Sequence, residues 1–154
     1  MKKFLVKDYM KSKVVSLKPE QTVKEALKTM IQHKTNGLVV VDKKNKVVGI
    51  LSSWDIIAYL VPDYLEADKH LASFESGDVF AERVQEIKAD PVKKFMSKHV
   101  HTIRTEHSLM EAATLLSEFQ IRQLPVVDDK GYLIGYLNRT DIKKAMGEVL
   151  HLKK

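Results

Sequence analysis

Adding 86 to a residue number carries the first part of this chain onto the last. Met10 falls on Met96, Val23 on Leu109, Ala26 on Ala112, Asp42 on Asp128, Gly49 on Gly135 and Asp55 on Asp141, with no gap in the matched stretch. Two copies of one message must fold as two units of one shape, and such units can bury the same apolar face against each other. The copies run over about residues 1–62 and 90–154, leaving 63–89 as a connector.

The periodicity changes in the same order within each copy. In the first, Val14 to Leu17 is a short apolar stretch closed by Pro19. Thr22, Val23, Ala26, Leu27, Met30 and Ile31 then recur at helical spacing, with Thr22 or Gln21 near the start. Leu38 to Val41 is a branched run, Asp42 to Lys46 a polar turn and Val47 to Leu51 a second strand, which together predict a hairpin. Ser52 to Leu60 reads as a helix capped by Ser52 or Ser53. The second copy predicts a strand at Val100 to Ile103, a helix over Ser108 to Phe119, strands at Leu124 to Val127 and Tyr132 to Leu137, and a helix over Arg139 to Val149. Each copy is therefore β-α-β-β-α, an α/β (α+β) unit. The first strand belongs at a sheet edge and Val39 to Val41 at its centre.

The connector is acidic, with seven acids and three bases, between a first copy carrying twelve lysines and five acids and a second carrying eleven bases and eight acids. Pro62 ends the preceding helix, and Tyr64, Leu65, Leu71, Phe74, Val79, Phe80, Val84 and Ile87 suit one or two short helices, interrupted by Gly77, better than a loose linker. They are expected to pack on the body of the protein or on another subunit. The net charge of +6 comes from scattered lysines and serves solubility or draws a polyanion. No run is long enough to span a bilayer, and Lys7 and Asp8 interrupt the stretch where a secretory leader would be apolar, which predicts a cytosolic protein without a membrane role. Without cysteine there is no disulfide, thiol nucleophile or thiolate metal site.

The doubled pattern, LPVVD before a turn and GYLNRTDI or GILSSWDI after it, resembles a pair of CBS domains, the tandem regulatory module named after cystathionine beta-synthase. The resemblance covers both copies and leaves out the connector. It implies a disc in which two repeats meet through their sheets about a pseudo-two-fold axis, leaving two clefts. It further implies a regulatory ligand, AMP, ADP or ATP, with S-adenosylmethionine as another candidate, and an unidentified regulated protein that listens. Discs of this kind pair through their helices, and Ala26, Met30, Met110, Ala112 and Ala113 are compatible with such a homodimer.

Asp55, three residues after Ser52 at a strand-to-helix junction, can cap the helix or accept both hydroxyls of a ribose, and Asp141 has the same choice. The resemblance favours the ribose role for Asp55 and Asp141 and a supporting role for Ser52. Asn138 departs from the usual Ser or Thr and puts the second cleft in question. Arg122 and Arg139 offer planar forks suited to phosphate oxygens, or rest at the rim in water. Asn36 matches Arg122 in the first copy, so that cleft is expected to be less basic. The resemblance sets Val14, Val15 and Ser16 beside one adenine and His101, Thr102 and Ile103 beside the other, with aliphatic contact in place of aromatic stacking; ordinary sheet packing is the competing role. The six histidines lack metal spacing, and no phosphate loop or dinucleotide fingerprint occurs, so no enzyme is expected. The reading reached is a regulatory adenine-nucleotide-binding module. The alternatives are a nucleic-acid-binding protein and an interaction module with empty clefts.

Overall fold

Local signals recur 86 residues apart and are answered by the same structure. The computed structural model describes residues 2–74 and 77–153. The elements run α1 (Val6–Tyr9), β1 (Ser16–Leu17), α2 (Val23–Gln32), β2 (Gly37–Val41), β3 (Val47–Ser52) and α3 (Ser53–Leu60) in the first half. The connector holds α4 (Asp63–Ala67), a 3-10 turn at Lys69–Phe74 and α5 (Gly77–Ile87), with residues 75 and 76 outside the described residues. A 3-10 turn at Val92–Lys94 precedes α6 (Leu109–Glu118), β4 (Leu124–Val127), β5 (Leu133–Leu137) and α7 (Arg139–Val149). Helix α2 opens on a reciprocal capping box between Thr22 and Glu25, and α6 on the matching box between Ser108 and Glu111.

The first sheet has the order β1-β2-β3, with β1 parallel and β3 antiparallel to β2, so Val39 to Val41 is central as expected. Alternation along β2 sends Leu38 and Val40 into a core with Leu17, Val23, Ala26 and Met30. Val39 and Val41 point the other way and meet Leu133 of the second half. Both faces of the strand are thus buried, which explains its unbroken apolar run. In the second half Leu124 and Val126 join Ile103, Leu109, Ala112 and Leu137 in the equivalent core.

One expected element is almost missing. The strand predicted at Val100 to Ile103 is reduced to a single parallel bridge between Ile103 and Val126, held by Ile103 N–H to the Pro125 carbonyl at 3.0 Å and Val127 N–H to the Ile103 carbonyl at 2.9 Å. The next rung would need an N–H from Pro125, which has none. Its counterpart in the first half is Val39, and there the β1 to β2 ladder forms.

The two halves also exchange their leading arms. Val6 donates to the His107 carbonyl at 2.8 Å, Leu109 to the Phe4 carbonyl at 2.8 Å, and the Val6 side chain is fully buried in the second core. In return Val92 donates to the Gln21 carbonyl at 2.7 Å, and Ile87 and Val92 are buried in the first core. Each arm then adds one residue to the edge of a hairpin: Lys11 and Tyr136 exchange backbone hydrogen bonds of 2.9 and 3.0 Å, and Ser97 and Ile50 exchange bonds of 2.9 and 3.0 Å. This exchange aims each arm at a cleft.

Candidate functional site

A cleft of about 360 Å³ opens where the end of β3 meets the second half, lined among others by Ser52, Trp54, Asp55, Ser97, His101 and Arg122. The junction from β3 to α3 builds its floor. The Ser52 side chain accepts from Trp54 N–H at 3.0 Å, and Asp55 Oδ2 accepts from Ser52 N–H at 2.8 Å. Of the two roles weighed for Asp55 the structure holds the cap: one carboxylate oxygen closes the capping box, and the other has no hydrogen-bond partner among the described residues. Across the cleft, α6 ends at Glu118, and Gln120 follows in the left-handed region at φ 50°. That reversal leaves the ring of Phe119 stacked on His101, with centroids 3.8 Å apart and 18° between planes.

Arg122, half-buried, faces this cleft and also a neighbouring hollow of about 550 Å³ that it shares with Arg139, Trp54, Gln120 and Ile121. The sequence placed these two arginines in separate elements, and the fold converges them on one space beside Asp55. The first cleft thus brings together a carboxylate acceptor, an aromatic wall and one guanidinium group, with a second guanidinium in the adjoining hollow, chemistry suited to a polyol joined to an aromatic ring and an anionic group.

The second cleft, about 450 Å³, is the repeat image of the first and is lined by Val15, Asn138, Tyr136 and Gln123, together with lysines 11, 13 and 34. The expectation that Asn36 makes the first copy's cleft less basic is corrected in its cause: Asn36 lines neither cleft, Arg122 lines the first, and the lysines of the second come from the exchanged arm and from the turn after α2. Asn138 caps α7 through its side-chain oxygen, accepting from Thr140 N–H at 2.9 Å and Asp141 N–H at 3.3 Å. Asp141 is only 2% exposed; Oδ2 accepts from Asn138 N–H at 2.9 Å and Oδ1 from Lys11 Nζ at 2.5 Å.

Other expected positions fall differently. Ser16 lies in β1 and is not among the residues lining the second cleft, Thr102 is exposed and does not line the first, and Ile103 is buried in the core. The expected aliphatic grip on a ring is corrected by Trp54, Phe119 and His101 in the first cleft. Phe119 read as the last turn of a helix, and only the left-handed residue behind it directs the ring inward. The proposed dimer face is corrected as well, because Ala26, Met30 and Ala112 are buried in the two cores by the helical periodicity that predicted the helices. Among the described residues no group of His, Cys, Asp and Glu is placed to hold a metal, and no helix is long and apolar enough to cross a membrane.

Comparisons with known proteins agree with this architecture. An uncharacterised protein of Methanocaldococcus jannaschii is 29% identical over 153 residues, covering 92% of this chain and 90% of the relative. The structure of CBSX2 in complex with AMP superposes with a TM-score of 0.73 at 28% identity, covering 95% of this chain and 98% of that one. The CBS domain pair of protein MJ0100, in complex with 5-methylthioadenosine and S-adenosyl-L-methionine, gives a TM-score of 0.69 at 25% identity, with coverage of 94% and 97%. The chain spans 57% of the full CBSX2 sequence of Arabidopsis thaliana and 22% of an inosine-5'-monophosphate dehydrogenase of Aquifex aeolicus that it also resembles. The CBS domain model matches residues 6–62 and again residues 92–148, one match to each half of the repeat. With two matched domains, two capped strand-to-helix junctions and a cleft at each, the chain belongs to the CBS domain family as a tandem pair.

Proposed function

We propose that this chain is a regulatory module that senses an adenine nucleotide, AMP, ADP or ATP, in the first cleft and performs no catalysis itself. The observation that carries the reading is the continuity of that cleft: a carboxylate oxygen of Asp55 left unpaired among the described residues, a His101 and Phe119 wall, and Arg122 with Arg139 in the adjoining hollow. Asp55 would accept from the ribose hydroxyls, the aromatic wall would border the base, and the arginines would hold phosphate. AMP bound to CBSX2 and adenosine derivatives bound to the MJ0100 pair support the ligand class. Two guanidinium groups favour a nucleotide over S-adenosylmethionine, whose sulfonium carries positive charge.

The module would act in the cytosol on a separate regulated protein, as a homodimer formed through helix residues left in water. Met110 on α6, one of the residues expected at such a face, is 76% exposed, and Met146 on α7, 55% exposed, joins it in place of the buried Ala26, Met30 and Ala112. Thermal-shift screening of AMP, ADP, ATP, NAD and S-adenosylmethionine tests the reading. A rise in Tm with the phosphate-bearing adenine ligands is expected. No shift with any of them would favour an interaction module with empty clefts, and saturable RNA or DNA binding at physiological salt would favour the nucleic-acid alternative.

A further inference from the structure

Among the repeat-matched positions at which the two clefts differ, one sets the state of the capping carboxylate: Lys11 in the second against Ser97 in the first. Both residues come from an exchanged arm, and both exchange a pair of backbone hydrogen bonds with the edge of a hairpin, Lys11 with Tyr136 and Ser97 with Ile50. Backbone placement is therefore shared, and only the side chain changes. Lys11 extends over the Tyr136 ring, 5.3 Å from its centroid, and its ammonium group reaches Asp141. Since Asn138 N–H already holds the other oxygen, both oxygens of that carboxylate are engaged. The hydroxymethyl group of Ser97 is too short to do this to Asp55, which keeps one oxygen for a ligand.

We propose that Lys11 is a specificity-determining residue that closes the second cleft to ribose, so that the chain binds one adenine nucleotide and not two. The proposal rests on the reading of the first cleft as the nucleotide site. A ribose approaching Asp141 would have to displace an ammonium group from a carboxylate that is only 2% exposed, exchanging an ion pair for hydrogen bonds from uncharged hydroxyl donors. Asn138 is not the cause. Its amide oxygen caps α7 as the Ser52 hydroxyl caps α3, leaving the carboxylate in the same position.

The test is titration calorimetry of the full chain with AMP, comparing wild type, Lys11→Ser, Asn138→Ser and Ser97→Lys. Wild type should bind with a stoichiometry of about one, and Lys11→Ser should add a second site, stronger by about tenfold or more than any residual binding there in wild type. That added site should vanish in the Lys11→Ser, Asp141→Ala double variant. Asn138→Ser alone should leave the stoichiometry unchanged, and Ser97→Lys should close the first cleft by pairing with Asp55. Two equal sites in wild type, or a folded Lys11→Ser variant with still one site, would overturn the proposal while leaving the first-cleft reading intact. If wild type binds no AMP, the first-cleft reading fails, yet binding gained by Lys11→Ser would still support the role of Lys11 and its absence would overturn it. Should Lys11→Ser fail to fold, the decision passes to Ser97→Lys: lost binding supports the proposal and retained binding overturns it.

Discussion

Replacing Gly135 by Ala should destabilise the protein more than replacing its repeat partner Gly49, and the reason lies in the exchanged arms. Each glycine faces the arm of the other half. A Cβ at Gly135 would stand 2.7 Å from the Lys11 carbonyl oxygen and 3.0 Å from Met10 Sδ; one at Gly49 would stand 2.6 Å from Met96 Sδ and 3.1 Å from the Ser97 carbonyl oxygen. A thioether can swing aside, whereas the Lys11 carbonyl is fixed by accepting from Tyr136 N–H at 3.0 Å. Ordinary contact begins near 3.4 Å, so relief at Gly135 requires the arm to lift by several tenths of an ångström. Lifting it weakens the two backbone bonds between Lys11 and Tyr136, each contributing about 1 kcal/mol. The expected loss is about 2 kcal/mol for Gly135→Ala, and about 1 kcal/mol for Gly49→Ala, where side-chain rotation absorbs most of the overlap. For a chain of this size these correspond to falls in Tm of about 4–8 °C and about 2–4 °C, read by calorimetry without ligand. An equal or larger loss for Gly49→Ala would refute the claim that the Lys11 carbonyl is the rigid partner.

Removing the Arg122 guanidinium by Arg122→Ala should weaken AMP more than adenosine, because only AMP presents a phosphate; equal losses measured by calorimetry would take Arg122 out of the phosphate role. Asp42 caps its hairpin by accepting from the N–H groups of Lys46 and Lys44, and these bonds hold its carboxyl below the ordinary value of 3.8. A carboxyl whose folded pKa is lowered contributes stability that is complete above its unfolded value and is lost as pH falls through the folded one. Asp42→Asn should therefore flatten the fall in Tm below about pH 4, and an unchanged acid slope would contradict this assignment.

Much of the fold is legible in the residues because each element is decided locally. The branched run Leu38 to Val41 marks a strand at the sheet's centre, and Thr22 or Gln21 ahead of the helical spacing marks a helix start. What stays hidden depends on distant partners. Nothing near Val6 says that it enters the core of the second half, since an apolar residue before a polar turn suits either half equally. Pro125 is visible, but its effect on the strand predicted at Val100 to Ile103 appears only once Ile103 is known to lie beside it. The same distinction divides the site. Ser52, Asp55, Asn138 and Asp141 share a junction readable from spacing, whereas the contact of Lys11 with Asp141 spans 130 positions and exists because the arms are exchanged.

Titration calorimetry of AMP, ADP and ATP against wild type and Asp55→Ala tests the central claim most directly. The carboxylate would supply charge-assisted hydrogen bonds to the ribose, each contributing about 1.5–3 kcal/mol, so a folded Asp55→Ala variant should bind at least about tenfold more weakly. Its capping bond to Ser52 is also removed, at about 1 kcal/mol of stability, so circular dichroism must first show that the variant remains folded. Saturable nucleotide binding by wild type that collapses in this variant is the predicted result. Equal affinity in the two proteins would contradict the assignment of the first cleft.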